Sequence, residues 1–177
     1  NKFDNVSFLR AMHKTKYVGE VGLDFSKPYE NYKSKQIVIF DFICKVAAKE
    51  NKILSIHSRK AEKEVLALLK KNKVKYAIIH WYTGNVDLVK EFIKEGYYFS
   101  INPAMTRSLA GKKIIGEIPM ERVLVETDGP ISKMNGKKIE PKNLIEVYEK
   151  IDDIYNIKNC RNIIYNNFKR LLNENLK

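Results

Sequence analysis

Residues 53–80, ILSIHSRKAEKEVLALLKKNKVKYAIIH, are the stretch of sequence that decides the fold. The segment begins with ILSIH and ends with YAIIH, two short runs rich in β-branched residues that are typical of buried strands. Between them, residues 61–73 place Val65, Leu68 and Leu69 on one face of a helix. A strand, a helix and a second strand joined by short connections predict a parallel βαβ unit.

The same alternation of strand and helix runs along the rest of the chain. Further strands are predicted at residues 17–22, 97–101 and 122–126, and further helices at 32–51, 86–95, 109–117, 141–155 and 160–172. This order predicts an α/β fold with a parallel sheet, either open or closed as a (β/α) barrel. No clear linker interrupts the pattern, so residues 1–177 are predicted to form a single domain. Apolar residues stand at helical spacing from residue 3 onward, and we therefore expect further chain to precede them.

The composition excludes some classes of protein and leaves others open. The chain of 177 residues is 44% hydrophobic, and no apolar run approaches the roughly 18 residues that a membrane span needs. Cys44 and Cys160 form no CxxC pair, so we expect neither disulfides nor a zinc knuckle, and a reduced, cytoplasmic setting. The net charge of +12 indicates attraction to phosphate, as in DNA. Most of the basic residues are Lys, however, and an AT-rich genome encodes such a mixture without selection for nucleic-acid binding.

Four ionisable residues fall in or just after predicted strands. Glu20 lies in the first strand, His57 and His80 end the second and third, and Asp128 follows the fifth. Because the carboxyl ends of barrel strands build the active site, we expect these side chains to converge. Carboxylate and imidazole together suit a divalent ion such as Zn²⁺ or Mn²⁺. A single strand-ending His is more often structural, and an Asp before Gly-Pro is often a turn former, but the combination favours a metal site.

These residues stand within motifs that resemble those of the TatD family of metal-dependent DNases. The segments are GEVGLD at 19–24 beside the family's GEIGLD, IHSR at 56–59, HWYTG at 80–84 beside HCFTG, YFSI at 98–101, ETDGP at 126–130 beside ETDSP, and NFxRL at 167–171. Each motif is weak alone, but their order and spacing agree from about residue 15 to the end. The variants HWYTG, SINPAM at 100–105 and ETDGP are similar to TatD-like proteins of the Qat anti-phage operons.

The resemblance implies a TIM-type barrel that holds one or two divalent metal ions (Mg, Mn or Zn) and hydrolyses phosphodiester bonds in DNA. It implies that Glu20 is a carboxylate shared between the metals and that His57 and His80 hold one ion. Asp128 would bind the other ion and act as the general base toward water. For a complete barrel the resemblance implies a 3′–5′ exonuclease that acts on single-stranded DNA.

Three further residues are candidates for binding the substrate. Arg59 matches the family's arginine after the second histidine and is expected either to clamp a phosphate or to form a salt bridge at the rim. Trp81 and Tyr82 are expected either to stack a base or to act as walls of a pocket. Asp24 is expected to orient a neighbouring side chain rather than to bind metal.

The sequence departs from the family pattern at its start. The family carries an HxH pair on its first strand, no HxH occurs here, and the five predicted strands correspond to the last five of eight. We therefore expect a longer protein, a second polypeptide that supplies the missing strands, or a degenerate product. With the four candidate ligands alone, we predict at most one well-held metal and weak activity for the isolated chain.

Two other functions stay open at this point. One is another binuclear-metal hydrolase of the amidohydrolase type, because the same set of ligands also serves other substrates. The other is a catalytically weak subunit that binds DNA or other defence-system proteins within a complex.

Overall fold

The computed structural model describes residues 3–134 and 136–175, in which strands and helices alternate. The strands are β1 (Tyr17–Asp24), β2 (Ile53–Arg59), β3 (Tyr76–His80), β4 (Tyr98–Ile101), β5 (Val123–Val125), β6 (Lys133–Met134) and β7 (Lys137–Lys138). The helices are α1 (Asn5–Met12), α2 (Lys33–Lys49), α3 (Glu62–Lys71), α4 (Val86–Lys94), α5 (Pro103–Arg107), α6 (Leu109–Glu117), α7 (Leu144–Tyr155) and α8 (Cys160–Asn175).

The first five strands form one parallel sheet whose spatial order is the chain order, β1 to β5. This confirms the predicted α/β fold and each of the five predicted strands. Helices connect consecutive strands, which is the repeating unit of a (β/α) barrel. In the described residues β1 pairs only with β2 and β5 only with β4. That these strands are the last five of eight stays a prediction.

Some element bounds differ from those read off the sequence. β1 continues to Asp24 and β2 to Arg59, because these two residues still pair with each other in the parallel ladder. The polar stretch at residues 132–140, for which the sequence predicted a loop, contains the antiparallel hairpin β6–β7. The short helix α5 was not predicted, and it begins where the Asn102 side chain accepts a hydrogen bond from the Met105 N–H at 3.1 Å.

The two faces of the sheet are covered differently, because successive side chains of a strand point to opposite faces. On one face, Leu54, Ile79 and Phe99 are fully buried within the main core together with residues of α2, α3 and α4. On the other face, Ile53 and Tyr98 belong to a second, smaller cluster that includes Leu171 and Leu172 of α8.

Helix α8 is bonded to the residues at which the strands begin. Asn167 Nδ2 donates to the carbonyl of Val123 at 2.8 Å, and Tyr76 Oη donates to the carbonyl of Glu174 at 2.6 Å. Arg170 Nε donates to Tyr98 Oη at 3.1 Å. The amino ends of β3, β4 and β5 are therefore held by α8, and the carboxyl ends remain available for a site.

No helix within residues 3–134 or 136–175 combines the length and the apolar character needed to cross a lipid bilayer.

Candidate metal centre

Glu20 stands at an irregularity in β1 where the strand runs very close to β2. The pairing register shifts between Val18 and Val21, so the segment that carries Glu20 bulges out of the ladder. Beyond the bulge, Gly22 lies opposite His57 with φ +150°, and a Cβ there would lie 1.9 Å from the His57 carbonyl oxygen. Only glycine at position 22 allows β1 and β2 to approach this closely, and the approach brings the Glu20 carboxylate beside His57.

The four predicted ligands come together at the carboxyl ends of the strands. Glu20 Oε1 lies 2.7 Å from His57 Nδ1 and 3.6 Å from His80 Nε2. His80 Nε2 also lies 3.5 Å from Asp128 Oδ1. The carboxylate of Glu20 therefore stands between the two histidines, and His80 faces two carboxylates at once.

These separations can be compared with what an ion requires. Two ligand atoms that each lie about 2.1 Å from one tetrahedral ion are about 3.4 Å apart. The contacts of His80 Nε2 with Glu20 and Asp128 have this spacing, and their N and O donors suit Zn²⁺ or Mn²⁺. The closer contact between Glu20 and His57 is a direct hydrogen bond that a bound ion would replace. Accordingly, among the described residues no three His, Cys, Asp or Glu side chains yet form a closed metal cage.

His80 is held in place by Glu126, a residue that the sequence reasoning missed. Glu126 Oε2 lies 2.6 Å from His80 Nδ1, and Glu126 Oε1 accepts the Trp81 N–H at 3.1 Å. The Ser100 hydroxyl also donates to Glu126 Oε2. Because a carboxylate only accepts, Nδ1 carries the proton and Nε2 is left free to bind a cation between Glu20 and Asp128.

Two opposing effects act on the pKa of His80. Burial alone would lower this pKa, but the hydrogen bond from the ring to Glu126 and the charges of Glu126, Glu20 and Asp128 raise it above its ordinary value. The site is therefore a strongly negative environment that stabilises a positive charge. The sequence did carry a signal for Glu126, since a Glu on the same face as the buried Leu124 needs a partner.

Asp24 has the neighbouring position that was expected for an orienting residue. Its Oδ2 lies 3.5 Å from His57 Nε2, and its Oδ1 accepts the Ser26 N–H at 2.8 Å. Burial would raise the pKa of Asp24, but the hydrogen bonds from Ser26 and the charges of His57 and Arg59 lower it below its ordinary value. Both ring nitrogens of His57 thus face a carboxylate.

Asp128 and Trp81 adopt backbone conformations that side chains disfavour. Their φ angles are +51° and +36°, in the left-handed region that is costly for a residue with a Cβ and unusual for a bulky one. The Ser132 hydroxyl donates to Asp128 Oδ2 at 2.7 Å, which leaves Oδ1 toward His80. Two of the seven non-glycine residues with positive φ in the described part of the chain therefore lie at the candidate site.

The candidate ligands open into a cleft of 520 Å³. It is lined by Glu20, His57, Ser58, Arg59, His80, Trp81, Thr83, Asp128 and Ile131. Ser58 is only 4% exposed, and its hydroxyl has no hydrogen-bond partner among the described residues. A buried hydroxyl is costly to leave unpaired, so this cleft fits a polar guest.

The prediction that Tyr82 stacks a base is wrong. Its ring is fully buried and packs edge-on against Phe92 and Phe99, with centroids 5.8 and 5.6 Å away. Its hydroxyl donates to the carbonyl of Asn85 at 2.7 Å. Tyr82 is therefore part of the core, whereas the neighbouring Trp81 does line the cleft. The positive φ of Trp81 turns the chain between these two residues, and the sequence gives no indication of that turn.

Comparisons with known proteins agree with this picture. A family model described as TatD related DNase matches residues 1–173. The chain is 36% identical over 162 residues to an uncharacterized metal-dependent hydrolase of Methanocaldococcus jannaschii. The matched region covers 88% of this chain and 63% of the relative. The chain is also 31% identical over 124 residues to the deoxyribonuclease Tat-D of Schizosaccharomyces pombe, and this matched region covers 68% of the chain and 40% of that protein.

A solved structure gives the same fold. The crystal structure of a TatD homologue from Escherichia coli matches with a TM-score of 0.79 at 21% identity, over 94% of this chain and 67% of that one. The match spans 63% of the length of the Methanocaldococcus jannaschii relative and 40% of the Schizosaccharomyces pombe relative, less than two thirds of either protein.

Proposed function

The chain belongs to the TatD-related DNase family, and on that premise we propose that the complete protein is a divalent-metal-dependent hydrolase that cleaves phosphodiester bonds in DNA. The observation that carries the proposal is the approach of Glu20 Oε1 and Asp128 Oδ1 to His80 Nε2, at 3.6 and 3.5 Å. Three separate strand ends supply these atoms, so their convergence at one point is not a consequence of local sequence.

Glu20, His57, His80 and Asp128 would hold the ion or ions, with Mg, Mn and Zn as the candidates. A bound divalent ion of this kind would supply a water whose pKa lies far below that of bulk water, together with charge to polarise a phosphoryl oxygen. Asp128 Oδ1 would accept the proton of the attacking water. The Asp128 backbone and the hydrogen bond from Ser132 keep this atom in place.

The substrate would be held by groups around the same cleft. Arg59 follows His57 at the rim, and its guanidinium offers paired donors to two oxygens of a phosphate. The Ser58 hydroxyl, buried beside the cleft and without a partner among the described residues, would become a further donor after a small shift of its side chain. Trp81 provides the aromatic wall against which an unpaired base packs, which favours a single-stranded substrate.

We further propose that strands outside this chain complete the barrel and the metal site. A hollow of 440 Å³ lies between the sheet and the helices α7 and α8, and its lining includes Ile78, Ser100 and Leu124 from the strands. Further strands would pair with β1 and β5, the edge strands of the described sheet, and would enclose this hollow; an extension of the chain or a second polypeptide would supply them. For residues 1–177 alone we predict at most one well-held ion and weak hydrolysis.

A panel of substrates tests the proposal on the complete protein. Single-stranded DNA, duplex DNA, RNA, bis(p-nitrophenyl) phosphate and an amide substrate are each incubated with Mg²⁺, Mn²⁺ or Zn²⁺. We expect single-stranded DNA to be cleaved from its 3′ end, with loss of activity in Asp128→Asn. The matched control is Asp153→Asn, whose side chain is 73% exposed on α7. If only the amide substrate is cleaved, the protein is an amidohydrolase, and the proposal that it hydrolyses phosphodiester bonds is wrong.

A role in anti-phage defence is the finer part of the proposal. Its support is the set of motif variants HWYTG and ETDGP. If catalysis is the function, Asp128→Asn abolishes phage protection in cells, whereas Asp153→Asn keeps it. Protection that survives Asp128→Asn would instead identify a subunit that binds DNA or other defence proteins without cleaving.

A further inference from the structure

A second hollow of 420 Å³ adjoins the metal cleft. Arg107 at the end of α5 and Lys133 in β6 line it, together with Trp81 and Ile131. Trp81 and Ile131 also line the metal cleft. The two hollows are therefore neighbours on one surface, separated only by a ridge made of these two side chains.

The charges of the two hollows differ in sign. The metal cleft contains the carboxylates of Glu20 and Asp128, whereas the described lining of the second hollow contains basic but no acidic residues. Arg107 Nη2 also contacts Glu146 Oε1 at 3.1 Å, but both side chains are more than a third exposed. An exposed pair of this kind is weak, so the guanidinium can turn toward an anion at little cost.

The ridge offers apolar surface that the fold itself does not use. Ile131 is 79% exposed, which is unusual for a branched apolar side chain beside a charged cleft. Trp81 is held there by a left-handed backbone and by the bond from its N–H to Glu126. A flat aromatic ring between two hollows that carry charged groups suits the face of an unpaired base.

We propose that this second hollow is a subsite for the nucleotide adjacent to the scissile bond of a single-stranded nucleic acid. Arg107 and Lys133 bind the phosphate of that nucleotide, and its base packs on the ridge of Trp81 and Ile131. This inference rests on the proposed function and narrows its substrate to a strand of at least two nucleotides. A small phosphate diester reaches only the metal cleft.

The first test measures equilibrium binding, so that it does not depend on cleavage. Anisotropy of a fluorescent single-stranded oligonucleotide is followed in EDTA at several salt concentrations, with the complete protein. Each phosphate contact in single-stranded nucleic acid contributes about 0.7 to the slope of log K against log salt. Because Arg107 and Lys133 are proposed to bind the same phosphate, the double variant Arg107→Gln/Lys133→Gln is expected to make the slope shallower by about 0.7.

The matched control removes the same charge far from the site. Arg10 in α1 and Lys14 are exposed and precede β1, so they lie toward the end of the sheet opposite to the cleft. Arg10→Gln/Lys14→Gln is expected to leave the slope within about 0.3 of the unmodified value, since distant exposed charges are largely screened. An equal change in both double variants, or none in Arg107→Gln/Lys133→Gln, overturns the subsite.

The second test uses Trp81, which is the one tryptophan of the 177-residue sequence. The fluorescence of Trp81→Phe is subtracted from that of the unmodified protein to isolate its signal. We expect quenching by the single-stranded oligonucleotide but not by a duplex of equal length or by bis(p-nitrophenyl) phosphate. Equal quenching by single strand and duplex refutes packing of an unpaired base on the ridge. If both binding results hold but no phosphodiester is cleaved, the proposed function fails, and the second hollow remains a binding site for single-stranded nucleic acid without a scissile bond beside it.

Discussion

Replacing Glu126 by Gln tests how far the site depends on a residue that does not itself face the cation. The carboxylate of Glu126 accepts from His80 Nδ1, from the Trp81 N–H and from the Ser100 hydroxyl. A Gln side chain has nearly the same shape as Glu but only one acceptor oxygen. Its NH₂ group is a donor and would face one of the three groups that now donate to Glu126. His80 then loses the partner that fixes its tautomer.

The structure allows the size of the effect to be worked out. The Glu126 side chain is 17% exposed, so solvent cannot fully replace the lost acceptor. Loss of a carboxylate behind a metal-binding histidine costs about 10- to 100-fold in metal affinity. This corresponds to about 1.4 to 2.8 kcal/mol of binding free energy.

Isothermal titration of the complete protein with Mn²⁺ or Zn²⁺ measures this loss, and nitrogen NMR of His80 reports its tautomer. We expect Glu126→Gln to bind the ion 10- to 100-fold more weakly, with proton occupancy moving from Nδ1 toward Nε2. Glu149→Gln, on the exposed surface of α7, is the matched control. An unchanged affinity together with a normal tautomer in Glu126→Gln would refute the reasoning.

Three further substitutions test the fold around the site. Gly22→Ala is expected to lower the free energy of unfolding, measured in urea, by more than about 3 kcal/mol, because the new Cβ would lie 1.9 Å from the His57 carbonyl oxygen. In the control Gly116→Ala the new Cβ meets no atom within 4 Å, and we expect a neutral or stabilising effect. Tyr82→Phe is expected to lower the free energy of unfolding by about 1 kcal/mol and to leave oligonucleotide binding unchanged; weaker binding would restore Tyr82 to the substrate surface. Hydrogen bonds lower the pKa of Asp41 below its ordinary value, and the one from Asn72 has the largest effect, followed by those from two lysines. The ionised carboxylate therefore stabilises the fold above the unfolded pKa of about 3.8, and this stabilisation is lost as the pH falls through the folded pKa. Asp41→Asn should therefore be less stable than the unmodified protein at pH 7, with a difference that shrinks in acid; a difference independent of pH would contradict this.

The strands could be predicted from the sequence because each one is buried on a face that demands β-branched or aromatic residues. Ile53–His57 and Tyr76–His80 are of this kind, and their pairing in parallel follows from the helix between them. The convergence of Glu20, His57 and His80 also followed from topology, because parallel neighbours end at the same edge of a sheet. Position in the chain was therefore enough to bring distant polar residues to one place.

What could not be predicted depends on backbone angles and on partners far away in the sequence. Trp81 and Tyr82 are adjacent aromatics, and only the positive φ of the first assigns one to the cleft and the other to the core. The sequence indicated that Glu126 needs a partner but not that the partner is His80, because their contact crosses from β5 to β3 past β4. Arg107 and Lys133 meet only because α5 and the hairpin β6–β7 form beside the cleft, and neither element was predicted.

The most direct test of the metal centre is a crystal structure of the complete protein soaked in Mn²⁺, with anomalous diffraction used to locate the ion. We expect an anomalous peak in the space between His80 Nε2, Glu20 Oε1 and Asp128 Oδ1, and its disappearance in Asp128→Asn. A well-occupied peak elsewhere, or none at these three atoms at saturating Mn²⁺, would contradict it.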